Sequence, residues 1–127
     1  MSEKRLAIVT PVYNRANELS TLFDSLMRQS RNDFTWYVVD DGSSDGTWAA
    51  IEGMKSEASF PIEAFRKENG GKHTAVNLAM RYVTEPLTFI VDSDDVLPPG
   101  AVGTILDSFD EISNSMGLCG ISFLRRM

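Results

Sequence analysis

Three carboxylates, Asp92, Asp94 and Asp95, fall within one four-residue stretch directly after the apolar run Phe89-Ile90-Val91. Like charges at that spacing repel and raise one another's pKa unless a cation lies between them. Hard divalent ions such as Mg²⁺ and Mn²⁺ take oxygen ligands of this kind, usually one or two carboxylates beside substrate phosphates. The same acids also suit a turn that caps a following helix opened by Pro98-Pro99, because Asp favours helix N-termini. Either way they stand at the carboxyl end of a short, buried strand. Three more polar clusters, at residues 10–15, 40–47 and 68–77, likewise follow apolar runs.

The elements that must hold these clusters alternate along the chain. Residues 6–9 read as a short buried strand, and residues 10–14 as a turn. Leu19, Leu22, Phe23, Leu26 and Met27 then recur at helical spacing. Residues 34–39 are aromatic and β-branched, hence a strand. Trp48, Ile51 and Met54 mark a shorter helix, and residues 60–65 a third strand. Val76, Ala79, Met80 and Val83 form the next apolar stripe, before a strand at 87–91. Pro98-Pro99 open a fourth helix carrying Val102, Ile105, Leu106, Phe109 and Ile112, since proline suits a first turn. Gly117 ends that helix, and residues 118–124 read as a last strand. Strand–helix alternation with short links predicts an α/β fold, a mostly parallel sheet sandwiched by helices, with ligands at the carboxyl ends of strands.

At 127 residues the chain is expected to be a single domain, residues 1–127, with a real core. Its 43% hydrophobic and 24% charged residues are those of a soluble globular protein. Twelve basic residues against 18 acidic give a net charge of −6, which argues against nucleic acid as a partner. The single cysteine, Cys119, can form no internal disulfide and reads as core, which fits a reducing compartment. One histidine, His73, excludes a multi-histidine metal site. No run approaches the roughly 18 apolar residues of a membrane span, and no signal peptide is visible. A cytoplasmic location is expected, which in a longer context includes the cytoplasmic face of a membrane.

Three familiar loops are tested by spacing. Residues 10–15 contain no glycine, so the dinucleotide fingerprint is absent. Gly70-Gly71-Lys72 approaches a phosphate loop, but His73 replaces the Ser or Thr and Arg66 the first glycine. Residues 41–52 fit a calcium loop at Asp41, Ser43, Asp45, Gly46 and Glu52. That loop needs a helix on each side, whereas a strand precedes it, and Trp48 stands at an aliphatic position. The expectation is a strand-to-helix turn, with Gly42 and Gly46 supplying backbone freedom and Asp45 capping the helix.

Thr-Pro-Val-Tyr-Asn-Arg, Val-Asp-Asp-Gly-Ser-Ser-Asp-Gly-Thr, Glu-Asn-Gly-Gly-Lys-His-Thr-Ala-Val-Asn-Leu-Ala and Val-Asp-Ser-Asp-Asp occur in that order. Together they resemble family-2 glycosyltransferases over residues 6–124. The resemblance implies the GT-A type of fold and a nucleotide-diphosphate sugar donor, UDP by default. It also implies Mn²⁺ or Mg²⁺, and transfer to a saccharide or lipid-linked saccharide acceptor in polysaccharide biosynthesis. By the same resemblance Pro11, Val12 and Tyr13 contact the nucleoside, with Tyr13 near the base. Asp41 accepts a hydrogen bond from a uracil-type base, and Asp40 either joins it or stabilises the turn. Lys72 complements the diphosphate, or is a solvated lysine at a helix start. Asn69 and Asn77 shape the loop and helix, and His73 is a surface residue.

Asp92-Ser93-Asp94 match the family's Asp-x-Asp motif. Asp94 is expected nearest the metal, Asp92 at the ribose or at the metal through water, and Ser93 at the nucleotide, with Asp95 a second metal candidate. The resemblance also implies a general base, usually an Asp in the second half of the catalytic domain. Asp107, Asp110 and Glu111 read as the solvated face of the fourth helix, so the base is expected beyond Met127. On that reading this is the nucleotide-binding half of a longer, truncated domain, with little transfer of its own and a sheet edge open to self-association. A non-catalytic module that holds a nucleotide sugar or metal is the alternative.

Overall fold

The computed structural model describes residues 4–116. Its elements run β1 (Leu6–Val12), α1 (Ala16–Met27), β2 (Phe34–Asp40), α2 (Thr47–Glu57), β3 (Ile62–Arg66), α3 (Lys72–Met80), β4 (Leu87–Ile90) and α4 (Ala101–Met116). The expected alternation is present, and the strand expected at 118–124, with Cys119, lies outside the described residues. Several boundaries differ from expectation. β1 runs on to Val12, through residues expected as a turn, because its pairing with β2 continues to Val12 opposite Asp40, and β4 ends at Ile90. β3 begins at Ile62 because Phe60 packs beside Phe23, Phe34 and Trp36 instead of entering the sheet. α4 begins at Ala101, so Pro98 and Pro99 precede the helix rather than forming its first turn; the Pro98 carbonyl accepts from the Ala101 amide.

All strand pairs are parallel, in the order β3-β2-β1-β4. Every residue of β1 and β2 is buried, the continuous pattern that a sheet covered on both faces requires. One face joins Leu6, Ile8, Phe34, Trp36 and Val38 to the apolar stripe of α1, to Ile51 and Met54 of α2, and to Val102, Ile105 and Leu106 of α4. Full burial of each such aliphatic side chain contributes about 1.5–3 kcal/mol. The indole of Trp36 keeps its hydrogen bond there by donating to Thr10 Oγ1 at 2.9 Å.

The opposite face is thinner. Ala7, Val9, Tyr37 and Val39 meet Ala75 and Ala79 of α3. The stripe expected from Val76, Ala79, Met80 and Val83 is corrected here: Ala79 is buried, Val76 and Val83 are partly buried, and Met80 is 44% exposed. α3 presents Ala75 and Ala79, four residues apart, to the sheet, and Met80, one residue further round the helix, falls outside that face. Met27, at the end of the α1 stripe, is exposed as well.

The strand order decides where a ligand can sit. α1 and α2 carry the chain outward from β1 through β2 to β3 on one face. α3 then carries it back across the other face to β4, on the far side of β1. The connections therefore part between β1 and β4, and such a switch point leaves a crevice at the carboxyl ends of the strands.

Candidate functional site

A cleft of about 310 Å³ opens at that point. Pro11 and Val12 end β1 and form one wall, with Tyr13 and Arg15 next along the chain. Asp41 enters from the end of β2, Lys72 from the first turn of α3, and Asp92, Ser93 and Asp94 from the end of β4. Four segments far apart in sequence thus meet in one hollow. Of the expected site residues, Asp40 and Asp95 stand outside its lining.

The acidic turn is built by its own backbone. The Val91 amide donates to the Val9 carbonyl at 2.9 Å and prolongs the β1–β4 ladder. The Asp95 amide then donates to the Asp92 carbonyl at 3.0 Å, and the Asp92 amide donates to Asp95 Oδ2 at 3.3 Å. Carboxylate oxygens of Asp92, Asp94 and Asp95 consequently lie within 4.8 Å of one another. Asp94 is exposed, Asp92 and Asp95 are half-buried, and Ser93 is buried. The helix-capping alternative fails on distance along the chain, because α4 starts only at Ala101. An all-oxygen set at the mouth of a polar cleft fits a hard divalent ion. The positive charge beside it in this structure is Lys72, whose Nζ is 2.5 Å from Asp92 Oδ1.

The segment between this turn and α4 is fastened to α1. Leu97 donates its amide to Ser25 Oγ at 3.1 Å. Gln29 donates from Nε2 to the Pro98 carbonyl at 2.8 Å and accepts at Oε1 from the Val102 amide at 3.0 Å. Sequence reasoning missed Ser25 and Gln29. Their signal was polarity in phase with the buried side of α1, Ser25 within the helix and Gln29 just past its end, where an unsatisfied group is costly.

Asp41 is 3% exposed, and four donors converge on its carboxylate. Lys67 Nζ (2.8 Å) and the Gly70 amide (3.0 Å) reach Oδ1. The Gly71 amide (2.9 Å) and Asn69 Nδ2 (3.3 Å) reach Oδ2. Burial pushes this carboxyl up, but the Lys67 ammonium and the two amides together outweigh it, and the pKa lies below the ordinary value. Asp40 has the turn-stabilising geometry of its two expected roles. It is fully buried, Oδ1 accepts from the Ser43 amide at 2.9 Å, and Oδ2 stands 3.8 Å from Arg66 Nε without a hydrogen bond.

Two loops meet at Asn14, which adopts φ 52°, a conformation asparagine tolerates better than most residues. Its Oδ1 accepts from the Ser44 and Asp45 amides, and its own amide donates to Ser43 Oγ at 2.8 Å. This brace sets the neighbouring Tyr13 and Arg15 at the cleft. The calcium-loop geometry is not formed: Asp41 faces residues 67–71, and Asp45 Oδ1 accepts from the Thr47 amide and hydroxyl. Asp45 acts one position outside the helix N-cap, which is Gly46. Gly42 does need its freedom, with φ 81° and a would-be Cβ 2.6 Å from the Asn69 nitrogen; Gly46 does not.

Lys67 and Arg15 were also missed. The β2–β3 register sets Asp40 opposite Arg66, so Asp40-Asp41 facing Arg66-Lys67 was the available signal for Lys67. Arg15 adds a cation at the cleft rim. His73 is exposed on α3, as expected, Asn77 is exposed there too, and Asp107 is exposed beside Arg31 at 3.6 Å. The side chains of Asp110 and Glu111 lie outside the described residues.

The profile of Glycosyl transferase family 2 matches residues 7–122. An undecaprenyl-phosphate 4-deoxy-4-formamido-L-arabinose transferase of Klebsiella pneumoniae is 28% identical over 112 residues, 85% of this chain and 34% of that protein. The minor teichoic acid biosynthesis protein GgaA of Bacillus subtilis is 31% identical over 108 residues, 81% of this chain and 24% of its own. Among solved structures, S. aureus TarS superposes with a TM-score of 0.76 at 25% identity, over 84% of this chain and 20% of TarS. The mannosyltransferase PcManGT from Pyrobaculum calidifontis, in complex with GDP-Man and Mn²⁺, gives 0.75 at 26% identity, over 88% of this chain and 33% of that one. TarS 1-349 has also been solved with UDP and with UDP-GlcNAc. The chain spans about a third of the length of these relatives, or less.

Proposed function

Because this chain belongs to glycosyl transferase family 2 and has the GT-A fold of its structural neighbours, we propose that its cleft binds the nucleotide-diphosphate part of a sugar donor. The donor is a UDP-sugar held with Mn²⁺ or Mg²⁺, and the sugar is destined for an acceptor hydroxyl. One observation carries this reading: the acidic turn, Lys72 and Asp41 converge on a single hollow at the switch point of the sheet.

Each wall has a part. Tyr13, 47% exposed, offers a ring for a base to lie on. Asp41 reads the base: the 3.3 Å contact from Asn69 is the longest on its carboxylate, and Asn69 keeps a 3.0 Å bond to the Asp41 carbonyl if it yields. An imide N–H can then take its place on Oδ2. Lys72 and the N-terminus of α3 stand where diphosphate charge would lie, and both favour an anion. Asp94, Asp92 and Asp95 would hold the divalent ion, which when bound stabilises as a Lewis acid the negative charge that grows on the departing diphosphate. Asp107 of α4 pairs with Arg31 and does not line the cleft, so it stands apart from the donor site.

The neighbours support the donor class: TarS binds UDP and UDP-GlcNAc, and PcManGT binds GDP-Man with Mn²⁺. The names of two relatives, an undecaprenyl-phosphate transferase and a teichoic acid biosynthesis protein, support a lipid-linked acceptor and a role in polysaccharide synthesis, which we place at the cytoplasmic side. Among the described residues no helix is long and apolar enough to cross a membrane. Calorimetric titration with UDP, with and without Mn²⁺, tests the reading. Metal-dependent binding is expected; a folded chain that ignores UDP under both conditions would overturn it.

A further inference from the structure

We propose that Lys67, which does not line the cleft, is a positioning residue of the donor site: it clamps Asp41, and Asp41 in turn fixes the first turn of α3 and places Lys72. The inference rests on the donor-site reading above for its consequence, although not for the clamp itself.

A carboxylate offers about four acceptor positions, and those of Asp41 are filled by Lys67, Gly70, Gly71 and Asn69. Two of these donors are consecutive backbone amides at the mouth of α3. Gly71 is held from both sides. Its amide is on Asp41, and its carbonyl accepts from the Thr74 amide (3.1 Å), the Ala75 amide (3.2 Å) and Thr74 Oγ1 (2.7 Å). The next residue is Lys72, whose ammonium meets Asp92. A continuous path thus runs from Lys67 through Asp41 and Gly71 to Lys72 and the acidic turn.

Lys67 is the charge that makes the path possible. Its Nζ is also held by the Glu68 carbonyl at 2.6 Å, and a Cβ at Gly70 would lie 3.0 Å from it. The other charged groups near Asp41 are differently engaged. Asp40 is turned onto Ser43 and Arg66, while Arg15, Lys72, Asp92 and Asp94 line the open cleft. Without the ammonium, a buried carboxylate would face neutral donors alone, which favours protonation. A protonated oxygen is a poorer acceptor for the Gly70 and Gly71 amides, and the start of α3 would loosen.

The experiment compares the wild-type chain with Lys67→Met, Lys67→Gln and Lys67→Arg by two readouts. The first is the NMR shift of the Gly70 and Gly71 amides against pH. The second is calorimetric titration with UDP and Mn²⁺ at neutral pH. In the wild type the amides should report a transition below the ordinary carboxyl value of 3.8. In the Met and Gln variants it should move to higher pH and UDP affinity should fall about tenfold, with Arg restoring both. Unchanged amide titration in both neutral variants, or equal UDP affinity in all four proteins, would overturn the proposal. A wild type that binds no UDP would remove the donor-site consequence, while the amide titration would still decide the clamp.

Discussion

Lys72 Nζ lies 2.5 Å from Asp92 Oδ1, so the cation at the start of α3 rests on the first acid of the turn that ends β4. The pair is well hydrated, with side chains 61% and 35% exposed. Pairs of that kind contribute about 0–1 kcal/mol to stability. Its importance lies in charge placement at the cleft. Lys72→Ala should therefore leave the melting temperature nearly unchanged while weakening UDP about tenfold, a loss of about 1.4 kcal/mol. Equal UDP affinity in the variant, measured by calorimetry, would take Lys72 out of the donor site.

Asp94 is the exposed member of the acidic group and does not share the ion pair of Asp92. It is the acid best placed to meet an incoming metal from solvent. Replacing it by Asn keeps its size and removes its charge. Asp94→Asn should abolish Mn²⁺-dependent UDP binding and leave the circular dichroism spectrum and unfolding midpoint as they were. Survival of the metal dependence would mean that Asp92 and Asp95 hold the ion without it.

Gln29 bridges the segment after that turn through two backbone contacts, to the Pro98 carbonyl and the Val102 amide. Gln29→Ala leaves the buried Val102 amide unsatisfied, a loss of about 1–3 kcal/mol. Urea unfolding should show a lower midpoint with an unchanged slope. UDP binding should weaken less than in Asp94→Asn, because the hydrogen bonds of the Gln29 side chain go to Ser25, Pro98 and Val102, none of which lines the cleft. A midpoint equal to that of the wild type would show that water satisfies the amide.

How far these features were legible depends on their reach along the chain. Buried β-branched runs and the Leu19–Leu22–Phe23–Leu26 stripe are local patterns, and they foretold the alternation of strands and helices. The polar residues at strand ends were legible for the same reason, since a parallel α/β sheet has its ligands there. The order β3-β2-β1-β4 was not, because nothing local says which strands are neighbours. Ser25 and Gln29 act on residues about seventy positions away. Lys67 finds Asp41 only through the β2–β3 register. Met80 looked like core by spacing, yet α3 turns its Ala75–Ala79 face to the sheet and leaves Met80 outside it.

The clamp on Asp41 also sets an acid dependence of stability. Burial raises this carboxyl, but Lys67, Gly70 and Gly71 more than offset it, so the folded pKa lies below the ordinary 3.8 of the unfolded chain. A depressed carboxyl contributes its full stabilisation above 3.8 and loses it as pH falls below that value and through the folded pKa. Asp33, lowered by its hydrogen bond from Arg31, and Asp45, lowered by Thr47, act in the same direction from more open positions. Asp41 differs in being nearly sealed from water, where its charge is least screened. Thermal melts across the acid range should fall more steeply in the wild type than in Asp41→Asn, which has no proton to gain there. The variant should also be the less stable of the two at neutral pH, with the curves converging toward low pH. Parallel curves would assign the acid transition to Asp33 and Asp45 instead.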